Sequence, residues 1–318
     1  MNRPSKNLRS GRDYPGTWNQ FVAWFHDDSS CLEYLEKLRW PDGFNCPRCD
    51  AIGEPFRLSR GRIMCRLCRH QSSVTAGTIF EKTRTPLSSW FAAAWYITSQ
   101  KNGVSALGLQ GILGLGSYET AWMMLHRLRR AMVHPERNKL SGIVEVDETY
   151  VGGRDERKTR APHPDSKKSI VAIAVELQEP KGFGRIRLRR IENASKSSLE
   201  QFICDSIEPG SIVQTDGSPA YGSIHNHGYK RNKVVQLGAE NPAHVTLAGV
   251  HRIASLLKRW LMGTHQGSVR PEQLDSYLDE YMFRFNRRTS RSRGLLFFRL
   301  LEQAVRTPPV TYQEITRS

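Results

Sequence analysis

The chain has 318 residues, 38% of them hydrophobic, and sets 47 Lys and Arg against 31 Asp and Glu for a formal net charge of +16. This length holds two or three domains with real cores, and no apolar run approaches the ~20 residues of a membrane span. The excess of positive charge points to nucleic acid as partner, rather than an anionic membrane surface, because no long basic amphipathic helix with a bare apolar face accompanies it.

The opening MNRPSKNLRS lacks the apolar core of a signal peptide. A cytosolic setting is therefore expected, in which six cysteines speak for metal binding or packing before disulfides. Residues 1–16 are polar and basic. From 17 to 39, Phe21, Trp24, Phe25, Leu32, Tyr34, Leu35 and Leu38 recur at helical intervals, and Asp27-Asp28-Ser29-Ser30 breaks the run and caps its second piece. Cys31 has no paired cysteine nearby and reads as a small buried residue. Cys46-Pro-Arg-Cys49 and Cys65-Arg-Leu-Cys68 follow, 15 residues apart. Two such knuckles present four thiolates that close tetrahedrally on one structural zinc, which would supply most of the folding energy of so small a unit. Arg48, Arg62, Arg66, Arg69 and His70 surround it, either as phosphate contacts or as plain solvated surface. Residues 72–83 read as a strand and turn that finish the ribbon.

Leu87 to Thr98 is a buried helix, Ser105 to Leu113 a short one, and Gly114-Leu115-Gly116 a tight turn. Ser117 then caps a helix running to about Val133 whose apolar side is Ala121, Met124, Leu125 and Leu128. Helix, glycine-bearing turn, helix is the helix-turn-helix arrangement, or else a plain three-helix packing unit. In the first reading Tyr118, Thr120, Arg127, Arg129 and Arg130 are available to DNA.

A strand over Ile143 to Val146 ends in Asp147, and a polar loop over 154–168 follows. Ser169 to Glu176 is a continuous apolar strand. Gly184 to Ile191 alternates with period two and shows arginines on one face. An amphipathic helix spans Ser195 to Ile207, with Leu199, Phe202, Ile203 and Cys204 inward. A second strand, Ser211-Ile-Val-Gln-Thr, ends in Asp216, and Lys230 to Leu237 is a fifth strand. After 34 further residues from Asp216 comes His251, in the first turn of a helix that also carries Lys258 two turns along the same face. Another helix runs from Arg270 to about Asn286, with Arg284, Arg287, Arg288, Arg291 and Arg293 around its end, and a last one from Leu295 to Val305. Three strands, a helix, two strands and a helix is the ribonuclease-H-like order. One aspartate at a strand end is ordinarily a turn former. Two of the same design, with a third polar group on a helix, form a set able to hold two divalent cations ~3.5–4 Å apart for phosphoryl transfer, and oxygen ligands suit magnesium or manganese.

Four stretches carry a resemblance: Val-Asp-Glu-Thr-Tyr-Val-Gly-Gly (146–153), Thr-Asp-Gly-Ser-Pro-Ala-Tyr (215–221), Val-His-Arg-Ile-Ala-Ser-Leu-Leu-Lys-Arg-Trp-Leu (250–261) and Tyr-Leu-Asp-Glu-Tyr-Met-Phe-Arg-Phe-Asn-Arg-Arg (277–288). In this order and spacing they resemble the DDE transposases of bacterial insertion sequences, in particular the group with an N-terminal zinc ribbon. The resemblance implies an N-terminal helical arm (1–43), a zinc ribbon (44–83), a helix-turn-helix unit (84–138) and an α/β catalytic domain (139–318) whose mixed ribonuclease-H-like sheet is flanked by helices. It implies cleavage and joining of DNA ends, with Asp147, Asp216 and His251 as ligands of two magnesium or manganese ions and Lys258 at a DNA phosphate. Zinc on Cys46, Cys49, Cys65 and Cys68, backbone contacts from Arg127, Arg130, Arg287 and Arg288, a homodimer on double-stranded DNA and a cytoplasmic, nucleoid-associated location complete the expectation. Most DDE enzymes have Glu where this chain has His251. The group tolerates Glu, Asn or His there, although neutral imidazole attracts magnesium less than a carboxylate does. Glu145, Glu148, His244 and Glu280 are further acids or bases near these stretches, with Glu280 a reserve third ligand. Two alternatives keep the fold and change the activity: a non-catalytic DNA-binding descendant of a transposase, and a nuclease that cuts without joining.

Overall fold

A computed structural model of the chain describes residues 8–134, 137–152, 168–178, 180, 182–234, 247–267 and 269–317. They fall into two compact units: one comprises the residues up to His134 together with Thr289–Arg317, the other those from 137 to Arg288. The loop expected over 154–168 lies outside the described residues except for Lys168, as do His244 and the end of the fifth strand.

The first unit opens with α1 (Trp18–Trp24) and α2 (Asp28–Arg39), the latter capped by Asp27, whose carboxylate accepts the Ser30 N–H at 2.8 Å. Cys31 is fully buried in α2, and burial pushes its thiol up to about 12. A three-stranded antiparallel ribbon follows, from β1 (Phe56–Arg57), β2 (Arg62–Met64) and β3 (Gln71–Ser73). Three helices come next: α3 (Leu87–Ser99), α4 (Ala106–Leu113) and α5 (Tyr118–Arg130). Ser105 caps α4 and Ser117 caps α5 through hydroxyls that accept the N–H three residues on. Gly114 ends α4 with φ +61°, a left-handed turn that costs a glycine nothing. Ala121, Met124, Leu125 and Leu128 of α5 are buried as the helical period requires.

The chain's later helices α9 (Arg293–Ala304) and α10 (Tyr312–Arg317) also belong to this unit. The catalytic part was expected to run to residue 318, but α9 packs on α3 and α2. Its Phe297 is fully buried, with ring centroids of Phe21, Phe25, Phe91 and Trp95 at 5.6, 5.7, 5.8 and 5.6 Å. The apolar stripe of α9 is complete in the sequence; its partners lie some two hundred residues earlier, where periodicity cannot find them.

The second unit is built on five strands: β4 (Ile143–Gly152), β5 (Lys168–Leu177), β6 (Phe183–Ile191), β7 (Ile212–Thr215) and β8 (Lys230–Lys233). Their spatial order is β6-β5-β4-β7-β8. The first three form an antiparallel meander, whereas β4, β7 and β8 run parallel. The crossover from β6 to β7 uses α6 (Lys196–Ser206), and α7 (Ala248–His265) and α8 (Leu274–Phe285) follow β8. This is a ribonuclease-H-like mixed sheet with helices on both faces. On one face Val144, Val146, Ala172, Ala174 and Val213 pack with Leu199, Phe202 and Ile203 of α6. On the other, Val151, Val171, Ile173, Val175, Ile186 and Leu188 pack with Val250, Ile253, Leu257 and Leu261 of α7 and Leu274, Leu278 and Met282 of α8. Near-continuous apolar strands such as β5 are what a sheet covered on both faces demands.

The arginine face of β6 differs from the expected half-exposed surface. Arg187 is buried and donates to the Ile186 and Asn138 carbonyls at 3.0 and 2.6 Å, while Arg185 forks onto Glu176 and Arg189 reaches Asp205 at 2.8 Å. Burial, before the surrounding arginines, draws the Arg187 guanidinium down to about 10.

Candidate active site and zinc centre

The register of β4 on β7 decides where the two aspartates stand. Ile143, Val144 and Glu145 lie opposite Ile212, Val213 and Gln214. Carried two residues on, the same register sets Asp147 opposite Asp216. Adjacent strands lie ~4.8 Å apart, and alternation puts both residues on the face opposite Val144, Val146 and Val213, against which α7 packs. Asp147 is half-buried, and burial pushes its carboxyl up to about 7, reinforced by Glu148, Asp216 and Glu145. Such crowding of acid, with no ion pair to Asp147 among the described residues, is the electrostatic setting that a bound divalent ion relieves. Each aspartate has one oxygen tied to neighbouring backbone: Asp147 Oδ1 accepts the Glu148 N–H and Asp216 Oδ1 the Ser218 N–H, both at 2.9 Å. These bonds orient the carboxylates and leave the second oxygen of each for an ion, so the donor set fits a hard, oxygen-preferring cation.

Asp216 sits where β7 gives way to a turn, and β8 braces that turn. The Arg231 guanidinium donates to the Thr215 hydroxyl at 3.1 Å and to the Asp216 and Ser218 carbonyls at 3.0 and 2.9 Å. Tyr221, fully buried, donates its hydroxyl to Glu148 at 2.7 Å. Glu148 lies on the α6 side of β4 and is engaged there, away from the Asp147 face. Neither role has a signal in the sequence beyond the presence of the residues, since both partners are reached only through the fold.

His251 stands half-buried in the first turn of α7, and Lys258 is exposed two turns on. Desolvation, and then the nearby Lys168 ammonium, draws the Lys258 pKa below the ordinary lysine value. Glu145, nominated in the sequence as an acid beside Asp147, accepts the Val250 N–H at 2.9 Å and is buried against the start of α7. Glu280 is fully buried in α8, 3.7 Å from the Arg284 guanidinium, on a helix that packs against edge strand β6 rather than the β4–β7 ends.

Among the described residues the four cysteines are the one group of three or more His, Cys, Asp or Glu side chains whose ligand atoms all lie within 4.8 Å of one another. Asp147, Asp216 and His251 do not close to that mutual spacing. A pair of ions ~3.5–4 Å apart spreads its ligands over a wider span than a single ion does.

The cysteine cluster has the dimensions of a zinc site. Cys46 and Cys68 sulfurs are 3.6 Å apart and those of Cys49 and Cys65 3.7 Å. Zinc bound tetrahedrally at ~2.3 Å sets its sulfurs ~3.8 Å apart. Backbone N–H groups of Cys68 and Leu67 face Cys65 and help bring its thiol down to about 7, toward the thiolate that metal requires. Phe44 and Ile63 close the small core around the cluster. Arg66 and Arg69 stand over the Phe56 ring at 4.6 and 5.1 Å.

The arginines expected at DNA divide by their surroundings. Arg130 is exposed at the end of α5. Arg127 is half-buried and donates to the Ile79 carbonyl at 3.4 Å, and Arg129, grouped with them as available, is buried. Arg287 stacks over Phe283 at 4.0 Å and bonds its carbonyl. Arg288 stacks over Phe285 and donates to the Phe183, Gly184 and Phe285 carbonyls. These contacts close the C-terminal end of α8, the use that the helix dipole favours.

Comparison with known proteins agrees with this architecture. Residues 139–286 match the ISXO2-like transposase domain and residues 26–71 a transposase zinc-ribbon domain. An uncharacterized protein in transposable element ISH50 of Halobacterium salinarum is 26% identical over 285 residues, covering 83% of this chain and 92% of its own length. Among solved structures, the catalytic core domain of BIV integrase is similar at 15% identity and a TM-score of 0.30, over 48% of this chain and 86% of that one. The Mos1 strand transfer complex is similar at 14% identity and a TM-score of 0.28, over 68% and 75%. Among the described residues no helix is long and apolar enough to cross a membrane. The chain therefore carries a transposase zinc-ribbon domain over residues 26–71, whose four cysteines have zinc dimensions, and an ISXO2-like transposase domain over residues 139–286, and in both stretches it is similar to insertion-sequence transposases.

Proposed function

We propose that this transposase cleaves the phosphodiester bonds at the ends of its element and joins the freed 3′-hydroxyls to target DNA, with Asp147, Asp216 and His251 holding two magnesium or manganese ions. The observation that carries the reading is the β4–β7 register, Glu145 opposite Gln214, which carried two residues on brings Asp147 and Asp216 to one level. Two divalent cations bound there supply Lewis-acid stabilisation to the attacking and leaving oxygens of an in-line displacement. The chain's own contribution is placement. The Glu148 and Ser218 N–H groups orient the two carboxylates, and Arg231 stiffens the turn that carries Asp216; His251 would join them from the first turn of α7. Lys258 takes a DNA phosphate near the scissile bond, which positions that bond against the acids. Arg130 contacts the DNA backbone from the helix-turn-helix, while Arg127, Arg287 and Arg288 reach DNA only by giving up their backbone bonds. The zinc holds the ribbon in shape, and two copies act together on paired ends in the cytoplasm, at the nucleoid.

A strand-transfer assay with labelled ends in magnesium and in manganese tests the reading. Asp147→Ala and Asp216→Ala are expected to abolish both cleavage and joining while DNA binding persists. His251→Ala is expected to lose activity, and His251→Glu to improve use of magnesium. Full activity in Asp147→Ala would leave only a DNA-binding role. Nicks without joined products in the wild type would reduce the protein to a nuclease.

A further inference from the structure

The start of α7 lacks a cap of its own. Its N-cap residue is Leu247, which makes no side-chain cap bond, yet the first N–H groups of a helix need acceptors. The acceptor comes from 105 residues earlier: Glu145, 4% exposed on β4, takes the Val250 N–H at 2.9 Å; burial raises its pKa, and the Val250 and Gly249 N–H groups oppose that rise. A carboxylate at a helix N-terminus is doubly favoured, by the hydrogen bonds and by the helix dipole. Gly249 is part of the same fit. A Cβ there would stand 2.7 Å from Glu145 Oε2 and 3.1 Å from the Phe183 ring, so only glycine lets the helix come this close to the strand.

This contact joins two ligand-bearing elements at their functional ends. Asp147 follows Glu145 by two residues on the same strand face, ~6.7 Å along β4. His251 follows Val250 by one residue on α7. The chain of connection from the aspartate to the imidazole therefore runs through one carboxylate and one backbone amide. We propose that Glu145 is a positioning residue: its capture of the α7 N-terminus fixes where His251 stands relative to Asp147. The proposal rests on the reading of Asp147 and His251 as ligands of the catalytic cation. It separates Glu145 from the ligand set to which its acidity and its strand face would otherwise assign it.

Manganese binding to the full-length, zinc-loaded protein tests it without DNA. Pulsed electron paramagnetic resonance of bound Mn²⁺ is expected to show a nitrogen modulation that His251→Ala removes. Glu145→Gln keeps an oxygen acceptor for the two N–H groups and is expected to keep the modulation. Glu145→Ala and Gly249→Ala are expected to lose it and to weaken Mn²⁺ binding about tenfold, the scale on which supporting contacts to metal ligands act. A cap with a merely structural role would lower the melting temperature and leave the nitrogen signal untouched; that result in a folded Glu145→Ala protein overturns the proposal. If Glu145→Ala does not fold, Gly249→Ala decides by the same signal. A wild-type spectrum without a His251-dependent nitrogen, or unaltered Mn²⁺ binding in Asp147→Ala, overturns the site reading and the latch with it. Loss in Glu145→Ala beside an intact wild-type signal upholds both.

Discussion

Removing the zinc is expected to unfold the ribbon and little else. The core around the cysteine cluster holds two other fully enclosed side chains, Phe44 and Ile63, with Trp40 and Ala51 partly covering them. At ~1.5–3 kcal/mol for each large apolar side chain, these two supply ~3–6 kcal/mol. Structural zinc in isolated finger peptides contributes ~10–16 kcal/mol, so the metal dominates. The three short strands, none longer than three residues, cannot offset that loss by pairing alone. Helices α1, α3 and α9 instead bury an aromatic cluster of Phe21, Phe91, Trp95 and Phe297 and should stay folded as a separate cooperative piece. Hydrogen exchange read by mass spectrometry, before and after a zinc chelator, measures this directly. Amides of Arg62–Met64 and Gln71–Ser73 are expected to lose protection, those of Leu87–Ser99 to keep it, and added zinc to reverse the change. Full protection of β2 and β3 in metal-free protein would refute the argument, because the small core would then suffice.

Three other outcomes follow from the contacts described. Phe297→Ala removes the ring at the centre of the aromatic cluster. It should cost the first unit ~3–5 kcal/mol, on the order of 10 °C in calorimetric melting temperature, with the melting of the second unit unchanged. Arg231→Ala frees the turn carrying Asp216 and is expected to lower the cleavage rate about tenfold to a hundredfold with end-DNA affinity intact; Arg231→Lys should rescue little, since one ammonium cannot serve three acceptors in a fork. Burial alone would raise the Glu176 carboxyl, but the Arg185 guanidinium and the Arg185 and Ser141 N–H groups outweigh it and hold its pKa below the ordinary value. A depressed carboxylate stabilises the fold fully above the unfolded value of ~4.3 and loses that contribution as pH falls through the lower, folded value. Denaturation midpoints below pH 5 should therefore fall less steeply for Glu176→Gln than for the wild type, and parallel acid limbs would contradict this.

The features legible in the sequence are those whose cause is local. Cys-x-x-Cys spacing specifies a ribbon without any knowledge of partners. Ser105, Ser117 and Ser195 announce helix starts because a cap is a contact within three residues. The apolar run before Asp216 shows where β7 stops, whereas β4 continues five residues past Asp147 to Gly152, because β5 pairs with it along that whole length. What the sequence conceals is the destination of long side chains. Arg129 and Arg187 read as surface charge in a basic chain, and both are buried. Arg288 reads as a DNA contact beside other arginines, and its guanidinium closes a helix end. For Arg187 and Arg288 the acceptors are backbone carbonyls, which have no residue-type signature, so composition and periodicity carry no trace of them.

Glu145 shows how the same pattern can mislead and inform at once. Period two places it on the face of Asp147, which is why it looks like a metal ligand. A strand face that meets the start of a helix, however, exposes its carboxylates to unpaired N–H groups as well as to cations, and the two uses compete for the same oxygens. Glu145 has its oxygen on the Val250 N–H, deep beside α7. Asp147, two residues further along β4, accepts the Glu148 N–H on one oxygen, and the charge of Asp216 reaches it. Position along the strand therefore separates two chemically equal acids into one that holds a helix and one left to hold an ion. On the proposed reading, in which His251 is the third group, the helix bearing the imidazole is held by a carboxylate from the sheet, and its placement need not depend on the metal.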